Sequence, residues 1–325
     1  MGKAFADILN SAPAKSRRSI CKGMIPMNKK NLKGPIYLLL CAFFWGMAFS
    51  SQSNAMKYIQ PFTFVFLRST VTCAVLSAAL PFLNRLSGAS EQPVASNARH
   101  FVVGGLCGLI LVSASILQQI GLVTTTTAKS GFITALYIVI VPILGIFLGR
   151  RPRPTLWLGV LVSLTGLYFL CMKESGLNVN VGDLFTLASA FVFALHIMTV
   201  DRFGSSLNSV RLSTIQFGAA AVVAGLLTLL LETPTWEGIL ACWQDIAFAA
   251  VFSGALGYTF QIVGQKYTDP TLASLLVCLE SVFAAFGGWV VLGETLSGRE
   301  LFGCALMLSA SVIALLPGRN RESAR

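Results

Sequence analysis

Long apolar runs occupy most of the chain, and short polar segments separate them. Several runs reach or approach the roughly 20 residues that an α-helix needs to cross a bilayer. The pattern predicts ten membrane-spanning helices, at about residues 35–53, 61–83, 101–120, 127–148, 155–172, 182–200, 211–231, 244–262, 271–292 and 298–316. Because most connections are short, neighbouring helices are expected to run antiparallel in one bundle. The predicted fold class is therefore an all-α membrane protein.

Composition and charge favour the same class. Hydrophobic residues make up 55% of the 325 residues and charged residues only 11%, whereas soluble domains carry about 25% charged residues. The net charge of +11 does not indicate a nucleic-acid partner, because the basic residues lie in the N-terminal segment and in short loops. None of the eight cysteines forms a CxxC pair, so neither a disulfide framework nor a metal site is predicted, and no cofactor is expected.

The distribution of Lys and Arg predicts the orientation. If the N-terminus is cytoplasmic, 19 Lys/Arg residues lie in cytoplasmic segments and four lie on the other side. We therefore expect a multi-pass protein of the cell (plasma) membrane with both termini inside: a basic tail at 1–34 and a short tail at 317–325. The first tail lacks the apolar core of a signal peptide, and the sequence leaves open whether residues 1–26 belong to the native start.

The chain also contains a weak internal repeat. GLVTTTTAKSGF (121–132) resembles GQKYTDPTLASLL (264–276), and PFTFVFLR (61–68) resembles SVRLSTIQ (209–216), at offsets between about 143 and 148 residues. The repeat predicts two five-helix units, 35–172 and 182–316. Five is an odd number, so the units should lie in the membrane with opposite orientations, as in many secondary transporters.

Several segments resemble the drug/metabolite transporter superfamily, in its bacterial EamA-type ten-helix branch: FFWGMAF (43–49), PFTFVFLR (61–68), QQIGLVTTTTAKSGFITALYIVIVPILGIFLGRR (118–151) and LESVFAAFGGWVVLGE (279–294). Two positions depart from the family pattern, Ser281, where the family often has Pro, and Arg150, where it often has an acidic residue. The resemblance implies gradient-driven export or exchange of small metabolites by alternating access. Consistent with this, the sequence lacks a GxxxxGK[ST] phosphate loop.

Glu280 is the sharpest candidate for the mechanism. It lies about nine residues into the ninth predicted span, where a charge costs roughly 2.5–3.5 kcal/mol on insertion scales. That cost makes a functional role the first hypothesis. Its carboxylate either binds a cationic group or exchanges a proton as access alternates. The alternative is a protonated Glu280 that joins two helices by a hydrogen bond.

Arg68, inside the second span, either meets an anionic substrate or Glu280, or has a structural role in which it snorkels toward an interface or caps carbonyls in the bundle. The repeat aligns it with the neutral Gln216. His196 is a candidate proton relay, although a structural role is favoured. The remaining candidates are amides and aromatic residues that either contact a solute or join and anchor helices: Gln52, Gln118, Gln261, Trp45, Tyr137 and Tyr258. Pro142 and Gly287-Gly288 are candidates for helix breaks near the transport path, with close helix packing as the alternative that is favoured for the glycines.

These observations favour a secondary active transporter of small organic metabolites, such as amino acids or organic cations. Its expected partners are a small-molecule substrate, the lipid bilayer and coupled protons, and its oligomeric state is left open. A membrane-embedded enzyme is the alternative, and it requires paired catalytic residues at membrane depth. Only Glu280 and His196 qualify, on different spans. A scaffold without transport activity is disfavoured by the short loops.

Overall fold

The computed structural model describes residues 32–86, 97–125, 127–171, 180–292 and 296–315. Most of the predicted N-terminal tail and the whole of the predicted C-terminal tail lie outside these ranges. Within them, ten helices are long and apolar enough to cross a membrane, which confirms the predicted all-α fold class. The predicted spans agree with the observed helices to within about five residues, apart from α4 and α9, which are interrupted.

The first unit contains α1 to α5. Their bounds are Lys33–Ala55 (α1), Pro61–Leu86 (α2), Asn97–Thr124 (α3), Thr127–Thr134 and Tyr137–Phe147 (the two segments of α4), and Pro154–Cys171 (α5).

The second unit contains α6 to α10. Their bounds are Val181–Gly204 (α6), Ser209–Leu231 (α7), Trp243–Phe248, Ala249–Gly257 and Tyr258–Gln265 (the three segments of α8), Pro270–Val277 and Glu280–Leu292 (the two segments of α9), and Gly298–Leu315 (α10). A short surface helix, Trp236–Ala241, precedes α8.

Polar residues in the loops cap the helices of the second unit. Asn180 and Asp183 form a capping box at the start of α6, in which each side chain accepts a hydrogen bond from the other residue's backbone N–H. Asn208 caps α7 by accepting from the backbone of Arg211. Asp269 caps α9, and Pro270 stands at the first helical position, where its missing N–H costs nothing.

The interruptions of α4 and α9 lie at repeat-equivalent positions. Ala135 and Leu136 separate the segments of α4, and residues 143 positions later, Cys278 and Leu279, separate those of α9. Each turn is closed by backbone bonds from residue i+3 to residue i, at 3.0 Å from Ile138 to Ala135 and 3.3 Å from Ser281 to Cys278. Such tightened turns mark local departures from α-helical geometry.

The candidate helix break at Pro142 is wrong, because α4 is interrupted elsewhere. The helix continues through Pro142, although proline has no backbone N–H and therefore cannot donate to the carbonyl of the preceding turn. In α9 the helix is also continuous through Gly287-Gly288, and at Gly287 this agrees with the packing role that the sequence favoured for these glycines. Gly287 makes room for Met47, whose Sδ would lie 2.8 Å from a Cβ at that position.

Glycine contacts relate the two units. α1 approaches α8 where a Cβ on Gly34 would lie 3.0 Å from the carbonyl oxygen of Gly264. α6 approaches α3 in the same way, because a Cβ on Gly182 would lie 2.7 Å from the carbonyl oxygen of Gly121. Gly34 and Gly182 are equivalent in the repeat, as are Gly264 and Gly121. The first helix of each unit therefore packs on the third helix of the other unit, as an inverted repeat requires.

Candidate functional site

A small cavity lies at the junction of the two units. Its volume is about 30 Å³, enough for one or two water molecules. It is lined by residues from α1 to α4, α6, α8 and α9: Trp45, Phe49, Gln52, Arg68, Gln118, Thr134, Tyr137, Phe193, Ile197, Ser253, Tyr258, Gln261 and Glu280. Almost all of these side chains are buried, so the cavity lies deep within the bundle.

Glu280 opens the second segment of α9, directly after the interruption. Its carboxylate oxygen Oε1 accepts a hydrogen bond of 3.1 Å from the hydroxyl of Tyr137. Tyr137 opens the second segment of α4 in the same way. Both side chains are buried, Glu280 at 6% and Tyr137 at 2% exposure. The helix interruptions thus bring repeat-related residues of the two units face to face beside the cavity.

Arg68 contributes a buried cation to the same cavity. Its side chain is 3% exposed. The guanidinium donates through Nη1 to the amide oxygen of Gln52 and through Nη2 to the hydroxyl of Ser115, both at 3.2 Å. It also lies 5.9 Å from the centre of the Phe64 ring, within the range of a cation–π contact. Arg68 and Glu280 form no ion pair with each other or with another described residue.

The predicted amides lie at the cavity wall. Gln118 donates to the hydroxyl of Thr134 at 3.2 Å. Its repeat equivalent Gln261 is 1% exposed and its amide oxygen has no hydrogen-bond partner. Gln52 accepts from both Arg68 and Gln119, the latter at 2.9 Å. A buried amide oxygen without a donor costs free energy, so Gln261 is poised to accept from a solute or water.

Trp45 and Tyr258 form an aromatic wall of the cavity. Their positions depend on the π-helical segment of α8, Ala249–Gly257. In this segment the carbonyl of Ser253 accepts a bond of 3.1 Å from the indole Nε1 of Trp45. The indole also occupies the space beside Gly257, where a Cβ would lie 2.5 Å from Nε1. Tyr258 follows, with its ring centre 4.6 Å from that of Trp45. Short π-helical stretches frequently occur at functional sites.

Two predicted residues, His196 and Gln216, do not line the cavity. They form a pair in which Nε2 of His196 lies 3.1 Å from the amide oxygen of Gln216, and both are buried. The ring of His196 meets Tyr258 edge-on, with centres 6.0 Å apart. The paired His196 and Glu280 that an enzyme would need are therefore not hydrogen-bonded to each other.

Sequence reasoning missed five lining residues: Phe49, Thr134, Phe193, Ile197 and Ser253. The repeat register carried a signal for two of them. Phe193 and Ile197 stand 148 residues after Trp45 and Phe49, and all four line the cavity. No sequence signal marked Ser253, because it acts through its backbone carbonyl, which every residue has.

Ion pairs join α4 to α6 at both ends of the bundle. At the end where α6 begins, Lys129 contacts Asp183 at 2.5 Å, and the same carboxylate accepts from Thr125 at 2.9 Å. At the end where α6 finishes, Arg150 pairs with Asp201. Arg150 also lies 3.8 Å from Asp269 at the start of α9. These contacts hold both ends of the helix pair that flanks the cavity.

The described residues contain no cluster of three or more His, Cys, Asp or Glu that could hold a metal ion. The side chains of the cavity offer a carboxyl group able to take up a proton or an amine, a guanidinium able to bind an anion, the amide oxygen of Gln261 without a donor, and an aromatic wall.

Comparison with known proteins identifies the family. The EamA-like transporter family matches residues 32–172 and again residues 180–316. The chain is 29% identical over 298 residues to an uncharacterized transporter of Archaeoglobus fulgidus, covering 88% of this chain and 87% of that protein. It is 24% identical over 184 residues to the threonine/homoserine exporter RhtA of Escherichia coli, a match that covers 54% of this chain and 59% of RhtA.

A solved crystal structure has the same fold, with a TM-score of 0.70 over 87% of this chain and 96% of that chain, at 20% sequence identity. The chain belongs to the EamA-like transporter family, as its resemblance had indicated. It is a multi-pass membrane protein, and the relatives named above are an uncharacterized transporter and a threonine/homoserine exporter.

Proposed function

We propose that this protein is a secondary active transporter that carries a small organic metabolite, an amino acid or an organic cation, across the plasma membrane. It works by alternating access, with Glu280 exchanging a proton in each cycle and both termini in the cytoplasm. The observation that carries the proposal is the position of Glu280, a buried carboxyl group beside a small cavity at the junction of two inverted units.

The surroundings of Glu280 support an exchangeable proton. It makes no ion pair with a described residue, and a hydroxyl is its hydrogen-bond partner. A carboxylate left without a cation in a low-dielectric site is costly, so proton uptake or the arrival of a cationic group neutralises it. Either event changes the free energy of this conformation, as coupling of transport to a gradient requires.

The size of the cavity supports a change of shape during the cycle. Binding sites for small molecules occupy roughly 300–1,000 Å³, whereas this cavity holds about 30 Å³. A solute therefore enters only after helices separate. The ion pairs Lys129–Asp183 and Arg150–Asp201 lie at opposite ends of α4 and α6, so breaking one while keeping the other would open the cavity to one side.

Flux measurements in liposomes test the proposal. Purified protein is reconstituted, and radiolabelled amino acids and organic cations are screened with and without an imposed pH gradient. We expect gradient-driven accumulation of at least one solute, and its loss in the Glu280→Gln variant. Glu237→Gln, on the short helix Trp236–Ala241 of which no residue is buried, is the matched control. Absence of flux for every class, or normal pH-driven accumulation by Glu280→Gln, contradicts the proposal.

A further inference from the structure

Arg68 is a buried cation that the protein leaves without a counter-ion. No carboxylate of a described residue lies within ion-pair distance of its guanidinium. Its hydrogen-bond partners, Gln52 and Ser115, are neutral, and its Nε–H has no partner. Burying a charge costs free energy, and the dipoles of neutral neighbouring groups offset only part of that cost. Such an arrangement is expected where a ligand supplies the missing charge.

The second unit indicates that the fold does not need this cation. Gln216 occupies the repeat-equivalent position on α7 and packs there as a fully buried neutral amide against His196. At this pair of equivalent positions, α2 therefore carries a cation and α7 carries a neutral group. Only the cationic side, Arg68, lines the central cavity.

The surroundings of Arg68 also point it toward the cavity and away from the lipid. The hydroxyl of Tyr258 lies beside the guanidinium, and Tyr258 and Gln52 line the same cavity. A long basic side chain that snorkels would have its head near an interface, but this one is 3% exposed. The guanidinium, which lines the cavity, thus has a buried N–H without a partner.

We propose that Arg68 receives the carboxylate of the transported solute. The inference rests on the proposed transport function and narrows its substrate class. Guanidinium and carboxylate match in geometry and form charge-assisted hydrogen bonds. Glu280 supplies the opposite charge from α9 and accepts the ammonium group of the same solute. A small zwitterion with one carboxylate and one amine satisfies both buried groups, whereas an organic cation without an acid group leaves Arg68 unpaired.

Binding to the purified protein tests this without relying on transport. The probes are L-alanine, L-threonine, L-leucine and L-phenylalanine, each compared with its methyl ester, which keeps the amine but lacks the carboxylate. Affinities are measured by calorimetry in detergent. We expect at least one amino acid to bind, with an affinity roughly 10- to 100-fold higher than that of its ester, the range that a hydrogen bond to a charged group accounts for.

Variants assign the effect to Arg68. Arg68→Gln should lower the affinity for the amino acid roughly 10- to 100-fold and leave the affinity for the ester almost unchanged. Arg68→Lys should retain part of the preference, because it keeps the charge but not the planar fork. Arg202→Gln is the matched control, since Arg202 is exposed at the end of α6 and lies against Phe203. It should bind both probes as the wild type does.

The outcomes separate this inference from the proposed function. If every ester binds the wild-type protein as well as its amino acid, Arg68 is not a carboxylate receptor; this result needs no variant and stands even if Arg68→Gln fails to fold. Equal losses of amino acid and ester in Arg68→Gln also overturn the inference. If liposomes accumulate an organic cation while none of the four amino acids binds, transport stands and the substrate class is wrong.

Discussion

The hydroxyl of Tyr137 donates a hydrogen bond of 3.1 Å to Oε1 of Glu280, and the two residues are 143 positions apart. That separation equals the offset between the matching segments 121–132 and 264–276. The contact therefore joins equivalent positions of two inverted units. Chemically the positions differ, because one carries a phenol and the other a carboxyl group, so the structural symmetry does not extend to the chemistry of the pair.

Tyr137→Phe should slow transport without unfolding the protein. The substitution keeps the ring in its buried place and removes only the donor to Glu280. A hydrogen bond to an ionisable group contributes roughly 1.5–3 kcal/mol, so we expect the initial rate of uptake into proteoliposomes to fall about 10-fold or more. Tyr58→Phe removes a hydroxyl from a residue that is 48% exposed, and its rate should match the wild type. Equal rates in all three proteins would show that the contact has no part in the cycle.

Gly108→Ala should destabilise the bundle, and Gly105→Ala should not. Both glycines lie on α3. A Cβ at Gly108 would stand 2.5 Å from the carbonyl oxygen of Gln216, whereas a Cβ at Gly105 meets nothing within 4 Å. Overpacking of this kind costs roughly 1–3 kcal/mol, while replacing an unobstructed helical glycine contributes up to about 1 kcal/mol.

Thermal unfolding in detergent tests the expected difference in stability between the two glycine variants. The apparent melting temperature should fall by several degrees for Gly108→Ala and should stay the same or rise slightly for Gly105→Ala. Similar melting temperatures for both variants would mean that α3 and α7 are not packed as closely as described.

Asp183→Ala should lower the stability of the end of the bundle where α6 begins. One carboxylate caps α6 at the backbone of Asn180, accepts from Thr125 and pairs with Lys129. Its removal deletes the helix cap and the ion pair and takes an acceptor from the buried Thr125, at a cost of roughly 1–3 kcal/mol. The melting temperature in detergent should drop, and the drop should be much smaller for Glu237→Ala, whose side chain lies on a helix without buried residues. Equal effects would assign no special role to the carboxylate.

Cysteine labelling should show both termini in the cytoplasm. In a Cys21→Ser background the remaining cysteines are buried or half-buried, so an impermeant maleimide should label the parent protein poorly. Lys57→Cys, in the exposed segment after α1, should be labelled in intact cells. Arg151→Cys, in the exposed segment after α4, should be labelled only after the membrane is permeabilised. The reverse pattern would place the termini outside.

Hydropathy alone predicted the helices, because each span must bury about 20 residues in lipid regardless of its neighbours. The predicted bounds of α1, α7 and α10 agree with those of the observed helices to within two residues. The interruptions of α4 and α9 did not follow, since Pro142 and Gly287 are the obvious breakers and neither ends a helix. These turns have no distinctive local sequence; they lie where the two units meet.

The candidate site was predicted in part for the same reason. Charged residues and amides inside a span are costly and therefore conspicuous, so Glu280, Arg68 and Gln261 were found as single residues. Their partners were not, because a hydrogen bond between α4 and α9 depends on the rigid packing of the whole helices. His196 is also a polar residue inside a span, but its ring packs edge-on against Tyr258 and it pairs with Gln216 instead of lining the cavity.

The sequence by itself determined the fold class, the ten spans and the doubling into inverted units, because these depend on the length, polarity and order of segments. Tertiary structure alone decided which side chains share the cavity. It placed Tyr137 against Glu280 and left Arg68 without a counter-ion. Contacts of this kind depend on distances between helices far apart in the chain, and the hydrophobic pattern along each helix carries no information about them.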